Sequence, residues 1–138
     1  MTPSPRPGTV IRFATASGGS IDVHVDEDNP AVQDLLTMLP LTLSFEDFKG
    51  VEKIAYPPRE IRTAGSPPSS AGAGDLAIYV PWGDIAFFYR GERGAPSANI
   101  VRLGVYDASR KQLEALEDGE VTVTILDRVS QHATSLED

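Results

Sequence analysis

The sequence predicts a mainly β domain carrying two short helices, and three observations lead there. Apolar residues alternate with polar ones in several short runs, the pattern of half-buried strands. Twelve glycines and 11 prolines in 138 residues punctuate those runs with turns. Between Gly74 and Tyr89, two strongly β-prone segments flank a Pro81-Trp82-Gly83-Asp84 turn, which reads as a hairpin with an aromatic at its tip. Five of the ten aromatic side chains fall in that hairpin: Tyr79, Trp82, Phe87, Phe88 and Tyr89. The length fits one domain, large enough to bury about two thirds of its unfolded surface.

The elements follow in order. Residues 1–8, with three prolines, form a flexible arm. Val10 to Ala14 and Ile21 to Val25 alternate on either side of Ser17-Gly18-Gly19-Ser20, a first hairpin. Asn29-Pro30 supplies an N-cap and a first helical residue, and Val32, Leu35, Leu36 and Leu39 follow at helical spacing until Pro40 stops the helix. The acids Asp26, Glu27 and Asp28 just ahead are expected to complement the positive helix end. Leu41 to Phe45 alternates as a strand, Glu46 to Lys53 turns around Gly50, and Lys53 to Tyr56 pairs again before Pro57-Pro58. A further short strand is expected near Ile61. Thr63 to Gly74 is a loop of small and turn-forming residues, the kind that rims a site. After the central hairpin and an Arg90 to Ala98 loop, Ile100 to Tyr106 forms a strand. Asp107 or Ser109 caps a helix with Leu113 and Leu116, which Gly119 closes. Val121, Val123 and Ile125 alternate in a last strand, so the folded domain covers residues 9–127 and leaves 128–138 as a polar tail.

A formal net charge of −8 argues against nucleic acid as a partner, because phosphate binding needs a basic stripe. Arg90, Arg93 and Arg102, with Arg110 and Lys111, come nearest to one and read as scattered solvated charges. The absence of cysteine removes thiolate nucleophiles and sulfur-ligated zinc. No secretory apolar core and no membrane-length apolar run is visible, which sets the expectation of a cytoplasmic protein without a membrane partner. His24 between Asp22 and Asp26 reads as a solvated strand face, and His132 stands apart in the tail, so neither a metal nor another cofactor is expected. Gly72-Ala73-Gly74-Asp75-Leu76-Ala77 matches the dinucleotide fingerprint but precedes a strand rather than a helix; Asp75 is expected to tie the turn through its side chain. No Gly-x-Ser-x-Gly elbow occurs, and the adjacent Glu46 and Asp47 point apart in a strand.

Several strings in a fixed order carry a resemblance. They are Asn29-Pro30 with Leu35 and Leu36, Leu39-Pro40-Leu41-Thr42-Leu43 leading to Phe48, Gly50 and Glu52-Lys53, then Gly74-Asp75, Pro81-Trp82-Gly83, Ala86-Phe87-Phe88-Tyr89, and Leu103-Gly104. Over about Val10 to Leu126 the chain resembles the bacterial cyclophilin-like fold family, mostly uncharacterised small β-barrel proteins. The resemblance implies a closed barrel of about eight strands plugged by two helices, the architecture of peptidyl-prolyl isomerases. It also implies a place for a catalytic arginine, with which Arg59 agrees in order, and for paired phenylalanines, which Phe87-Phe88 loosely match. The glutamine-containing segments that shape a cyclophilin's proline pocket are missing, and Ala86 stands where a glutamine is expected.

The candidate ligand-binding residues are therefore Tyr79, Trp82, Phe87 and Phe88. Alternation puts Phe87 and Phe88 on opposite faces, so one of them packs the barrel interior. Tyr79 and Trp82 each combine a stacking face with a polar handle, although a turn tryptophan also serves as a lid over a barrel end. Arg59, held by Pro57-Pro58, is the candidate electrophile for the high barrier of prolyl rotation; the competing reading pairs it with Glu46, Asp47 or Glu60. The expected function is binding of a small molecule or short proline-containing peptide in a groove near Tyr79, Trp82 and Phe88, bounded by the Thr63 to Gly74 loop. The alternatives are prolyl isomerisation, and a barrel that pairs through a sheet edge or the hairpin as a homo-oligomer.

Overall fold

Strand β3 (Leu41–Ser44) and strand β4 (Glu46–Phe48) are separated by Phe45 alone, yet they are the two opposite edges of one nine-stranded sheet. A single residue can bridge the edges only if the sheet curls round on itself, so the chain forms a nearly closed barrel. The computed structural model describes residues 9–126; the expected arm over 1–8 and the polar tail over 128–138, including His132, lie outside the described residues. The remaining strands are β1 (Val10–Ala14), β2 (Ser20–Val25), β5 (Glu52–Ala55), β6 (Asp75–Tyr79), β7 (Asp84–Phe88), β8 (Ile100–Tyr106) and β9 (Glu120–Leu126). They run in the order β3-β9-β1-β2-β8-β6-β7-β5-β4, and every pairing is antiparallel. The strand count exceeds the expected eight because the polar stretch after Phe45 itself pairs: Glu46 to Phe48 turns back through Lys49 and Gly50, both at positive φ, onto β5.

Alternation fills the barrel. Phe13 of β1, Ile21 and Val23 of β2, Leu76 and Ile78 of β6, Ile85 and Phe87 of β7, and Val121 and Val123 of β9 form one buried cluster. Helix α1 (Pro30–Met38) adds Ala31, Val32 and Leu35 to it, and α2 (Arg110–Ala115) adds Leu113, with Leu116 just beyond its end. Phe87 is the aromatic centre, edge-on to Phe13 at 4.8 Å and to Tyr106 at 5.0 Å, and tilted against Phe45 at 5.6 Å.

The helix starts follow their caps. Asn29 accepts the Val32 N–H at 2.8 Å and donates its amide to the Arg102 carbonyl at 3.0 Å, which ties α1 to β8. Leu39 follows the helix and joins Pro40 through a cis peptide. Of the two expected caps for α2, Ser109 is the one used, in a reciprocal capping box with Gln112.

Three expectations are corrected. The acids before α1 do not serve the helix end: Asp26 and Glu27 bind the buried Arg102 guanidinium, and Asp28 accepts from Gln33. A buried arginine needs several acceptors, and these lie within its reach. Ile61 is buried in the core but belongs to no strand. Arg93 and Arg102 are not part of a solvated patch; both face Asp75, whose carboxylate also accepts the Gly72 N–H and so ties the turn as expected. Asp22 likewise takes Arg12 from the neighbouring strand in a bidentate pair. No helix among the described residues is long and apolar enough to cross a membrane.

Candidate functional site

Because Leu76, Ile78, Ile85 and Phe87 point into the barrel, the residues between them, Asp75, Ala77, Tyr79, Asp84, Ala86 and Phe88, stand on the outer face of β6 and β7. On the flanking strands the same face carries Glu52 and Ile54 of β5, opposite Phe88 and Ala86, and Ile100 of β8, opposite Tyr79. An outer barrel face normally meets water, yet Ile54, Ala77, Asp84 and Ala86 are buried. The hairpin turn, closed by Gly83 N–H bonds to the Tyr79 and Val80 carbonyls, carries Trp82 to within 5.2 Å of Tyr79 and 5.0 Å of Phe48 of β4. Gly83 has φ of +70°, the left-handed conformation this turn requires.

The result is a groove of about 320 Å³ lined by Phe48, Glu52, Tyr79, Trp82, Phe88 and Ile100. Trp82 remains 46% exposed, one of the few large apolar side chains at the surface. Its ring meets those of Phe48 and Tyr79 at 82° and 88°, so the rings form corners rather than a stack.

Two carboxyls belong to this face, Glu52 in the groove lining and Asp84 fully buried beside Tyr79. Glu52 makes no ion pair among the described residues, and burial together with the like charges of Asp84 and Asp47 pushes its pKa up to about 7. Asp84 is completely buried, neither oxygen makes a well-formed hydrogen bond, and burial raises its pKa to about 6 against the weak help of the Tyr79 and Asp84 N–H groups. Elsewhere on the barrel several acids are ion-paired. Lys53, buried on the inner face of β5, takes Asp47 at 3.2 Å and Glu117 at 3.3 Å, and the Tyr89 hydroxyl donates to Asp47. Carboxyls with raised pKa beside a concave aromatic surface are what make this groove the candidate site.

A family model described as the cyclophilin-like family matches residues 14–126. The chain belongs to that family. The cyclophilin-like domain also resembles the solution structure of a hypothetical protein from Archaeoglobus fulgidus, with a TM-score of 0.62 at 16% identity over 87% of this chain and 96% of the other. That likeness bears on fold alone. No curated protein matches.

Within the cyclophilin-like domain, Tyr79, Trp82 and Phe88 come together at the groove, and Phe87 does not: it faces the opposite way and fills the core. Arg59 is not among the lining residues. Its guanidinium clamps the Asp34 carboxylate of α1 at 2.7 and 3.0 Å and donates to the Glu60 backbone carbonyl at 2.9 Å, rather than pairing with the carboxylates of Glu46, Asp47 or Glu60, while Asp34 also accepts the Arg62 N–H. Nor does the Thr63 to Gly74 loop bound the groove. It packs instead at the start of α1, through Ser66 to the Ala31 N–H, and against Ser97. The wall comes from β4 and β5, whose Phe48 and Glu52 the sequence reading did not select. The signal lay in the alternation of Glu52 with Ile54, which marks a strand face shared with Phe88 once β5 is paired to β7.

Proposed function

We propose that this cyclophilin-like domain is a binding module that takes a small molecule or short peptide in the aromatic groove. The observation that carries the reading is the half-exposed Trp82 braced edge-on by Phe48 and Tyr79 at a groove that Glu52 also lines, unpaired among the described residues. A tryptophan held in this way exposes stacking surface at little further entropic cost on binding. Proline-containing peptides fit the reading as ligands, since a prolyl ring packs on aromatic faces. Turnover of the prolyl bond would require an electrophile at the groove, and the domain's candidate, Arg59, is occupied by Asp34.

Trp82 is the sole tryptophan, so its fluorescence and indole N–H resonance report on the groove directly. Titration with an Xaa-Pro peptide series and a small-molecule fragment set is expected to give saturable changes at Trp82 that disappear in Phe88→Ala. Ligands that bind while leaving the signals of Trp82, Tyr79 and Phe88 unmoved would overturn the reading.

A further inference from the structure

We infer that the groove receives a quaternary, fully methylated ammonium group, with the cation facing the Glu52 carboxylate and its methyl groups against Phe48, Tyr79, Trp82 and Phe88. This inference rests on the binding reading above and narrows it to one ligand chemistry.

Three independent features point to it. The first is the wall. Aromatic faces carry negative potential, and several rings around one space favour a diffuse cation over a neutral group of the same shape. The chain already shows the attraction, since the Lys49 ammonium lies 5.3 Å from the centroid of the Phe48 ring. The second is the placement of a negative group. Glu52 lines the groove among the four rings, and among the described residues it makes no ion pair. The third is Asp84, fully buried on the same outer face with both oxygens lacking a hydrogen-bond partner. Asp84 does not line the groove, but it pairs with Tyr79 on the same face, and a cation held in the groove would favour its ionised form.

The chemistry also selects among cations. A primary ammonium has several N–H donors to satisfy, and the lining offers few acceptors beyond Glu52 and the Tyr79 hydroxyl. A metal ion demands more oxygen ligands than this groove holds, and no group of three or more candidate ligands lies together among the described residues. A quaternary, fully methylated ammonium has no N–H donor to satisfy; it needs rings and a diffuse negative charge. The groove volume of about 320 Å³ sits at the small end for ligand pockets, suited to such a head group.

The test compares choline with its uncharged carbon isostere, 3,3-dimethylbutan-1-ol, on the full chain, read by the Trp82 indole N–H shift and by fluorescence. Choline is expected to bind at least about tenfold more tightly than the isostere. Glu52→Gln, checked for folding by circular dichroism, is expected to remove most of that preference, while Trp82→Ala removes binding of both. Because Glu52 is partly exposed at the end of a strand, the Gln variant keeps its shape and its hydrogen-bonding capacity. Equal binding of the two probes, or a preference for the isostere, would overturn the inference and leave an apolar groove. An undiminished choline preference in Glu52→Gln would also overturn it. If neither probe, nor any peptide or fragment in the set above, moved Trp82, the binding reading would fall with it.

Discussion

Asp84 pairs with Tyr79 across the β6–β7 hairpin, so a fully buried carboxyl with no well-formed hydrogen bond lies beside the ring that walls the groove. A carboxyl in that position is tolerated most easily as the neutral acid. A carboxyl whose folded pKa is raised contributes stability that is complete below its unfolded pKa and is lost as pH rises through the folded one. For Asp84 the window runs from its ordinary value of 3.8 to about 6, and for Glu52 from 4.5 to about 7. Thermal unfolding is therefore expected to weaken between roughly pH 4 and 7. Asp84→Asn should raise stability at pH 7.5 by about 1–3 kcal/mol and flatten that slope. An unchanged slope in the Asn variant would show that the carboxyl is charged and compensated in the fold.

Phe87 and Phe88 are neighbours in sequence and separate in role. Phe87→Ala opens the centre of the aromatic cluster and is expected to cost about 3–5 kcal/mol, read as a lowered denaturation midpoint. Phe88→Ala removes a groove wall from the outer face and should leave the fold cooperative while abolishing the Trp82 response to ligand. The reverse pattern would put the groove on the wrong face of the sheet.

Arg59→Ala is expected to lower the melting temperature modestly, through loss of the clamp on Asp34, with no effect on ligand response at Trp82. The Arg59 guanidinium holds the Asp34 carboxyl below its ordinary range. The pair's contribution is therefore present above the unfolded pKa and lost as pH falls through the depressed one. The gap between wild type and variant should close on acidification. A protease-coupled Xaa-Pro assay in which Arg59→Ala removes a measurable activity would instead return this arginine to the chemistry.

These contrasts show what could be read from the sequence. The hairpin from Gly74 to Tyr89, the Asn29 cap and the alternation of β1, β2, β3 and β9 rest on local rules, and the structure follows them. Tyr79, Trp82 and Phe88 could be selected from the same hairpin because aromatic clustering is local too. Glu52 and Phe48 could not, since their place in the groove depends on β5 pairing with β7 and β4 with β5, and on the curl that Phe45 imposes at the edges. Arg59 was misdirected for a similar reason: the sequence shows nearby acids, whereas its partner Asp34 is 25 residues away on α1. Asp26 and Glu27 look like helix-end acids until β8 brings the buried Arg102 beside them, more than 70 positions on.

Gly104 on β8 tests the frame that holds the groove. A Cβ there would lie 2.5 Å from the His24 carbonyl oxygen and 2.9 Å from a Val23 methyl carbon, both on β2. Backbone cannot yield at that distance without parting the strands, because Gly104 is paired with Val25 in the β2–β8 ladder. Gly104→Ala is thus expected to destabilise the barrel by about 1–3 kcal/mol. Hydrogen exchange should quicken at the β2 and β8 amides before those of the β6–β7 hairpin. Since β8 also supplies Ile100 to the groove and Arg102 to Asp75, the same variant should weaken the Trp82 ligand response without touching a lining side chain. Full stability in Gly104→Ala would mean that β2 and β8 approach less closely than this, and the outer face would lose its rigid floor.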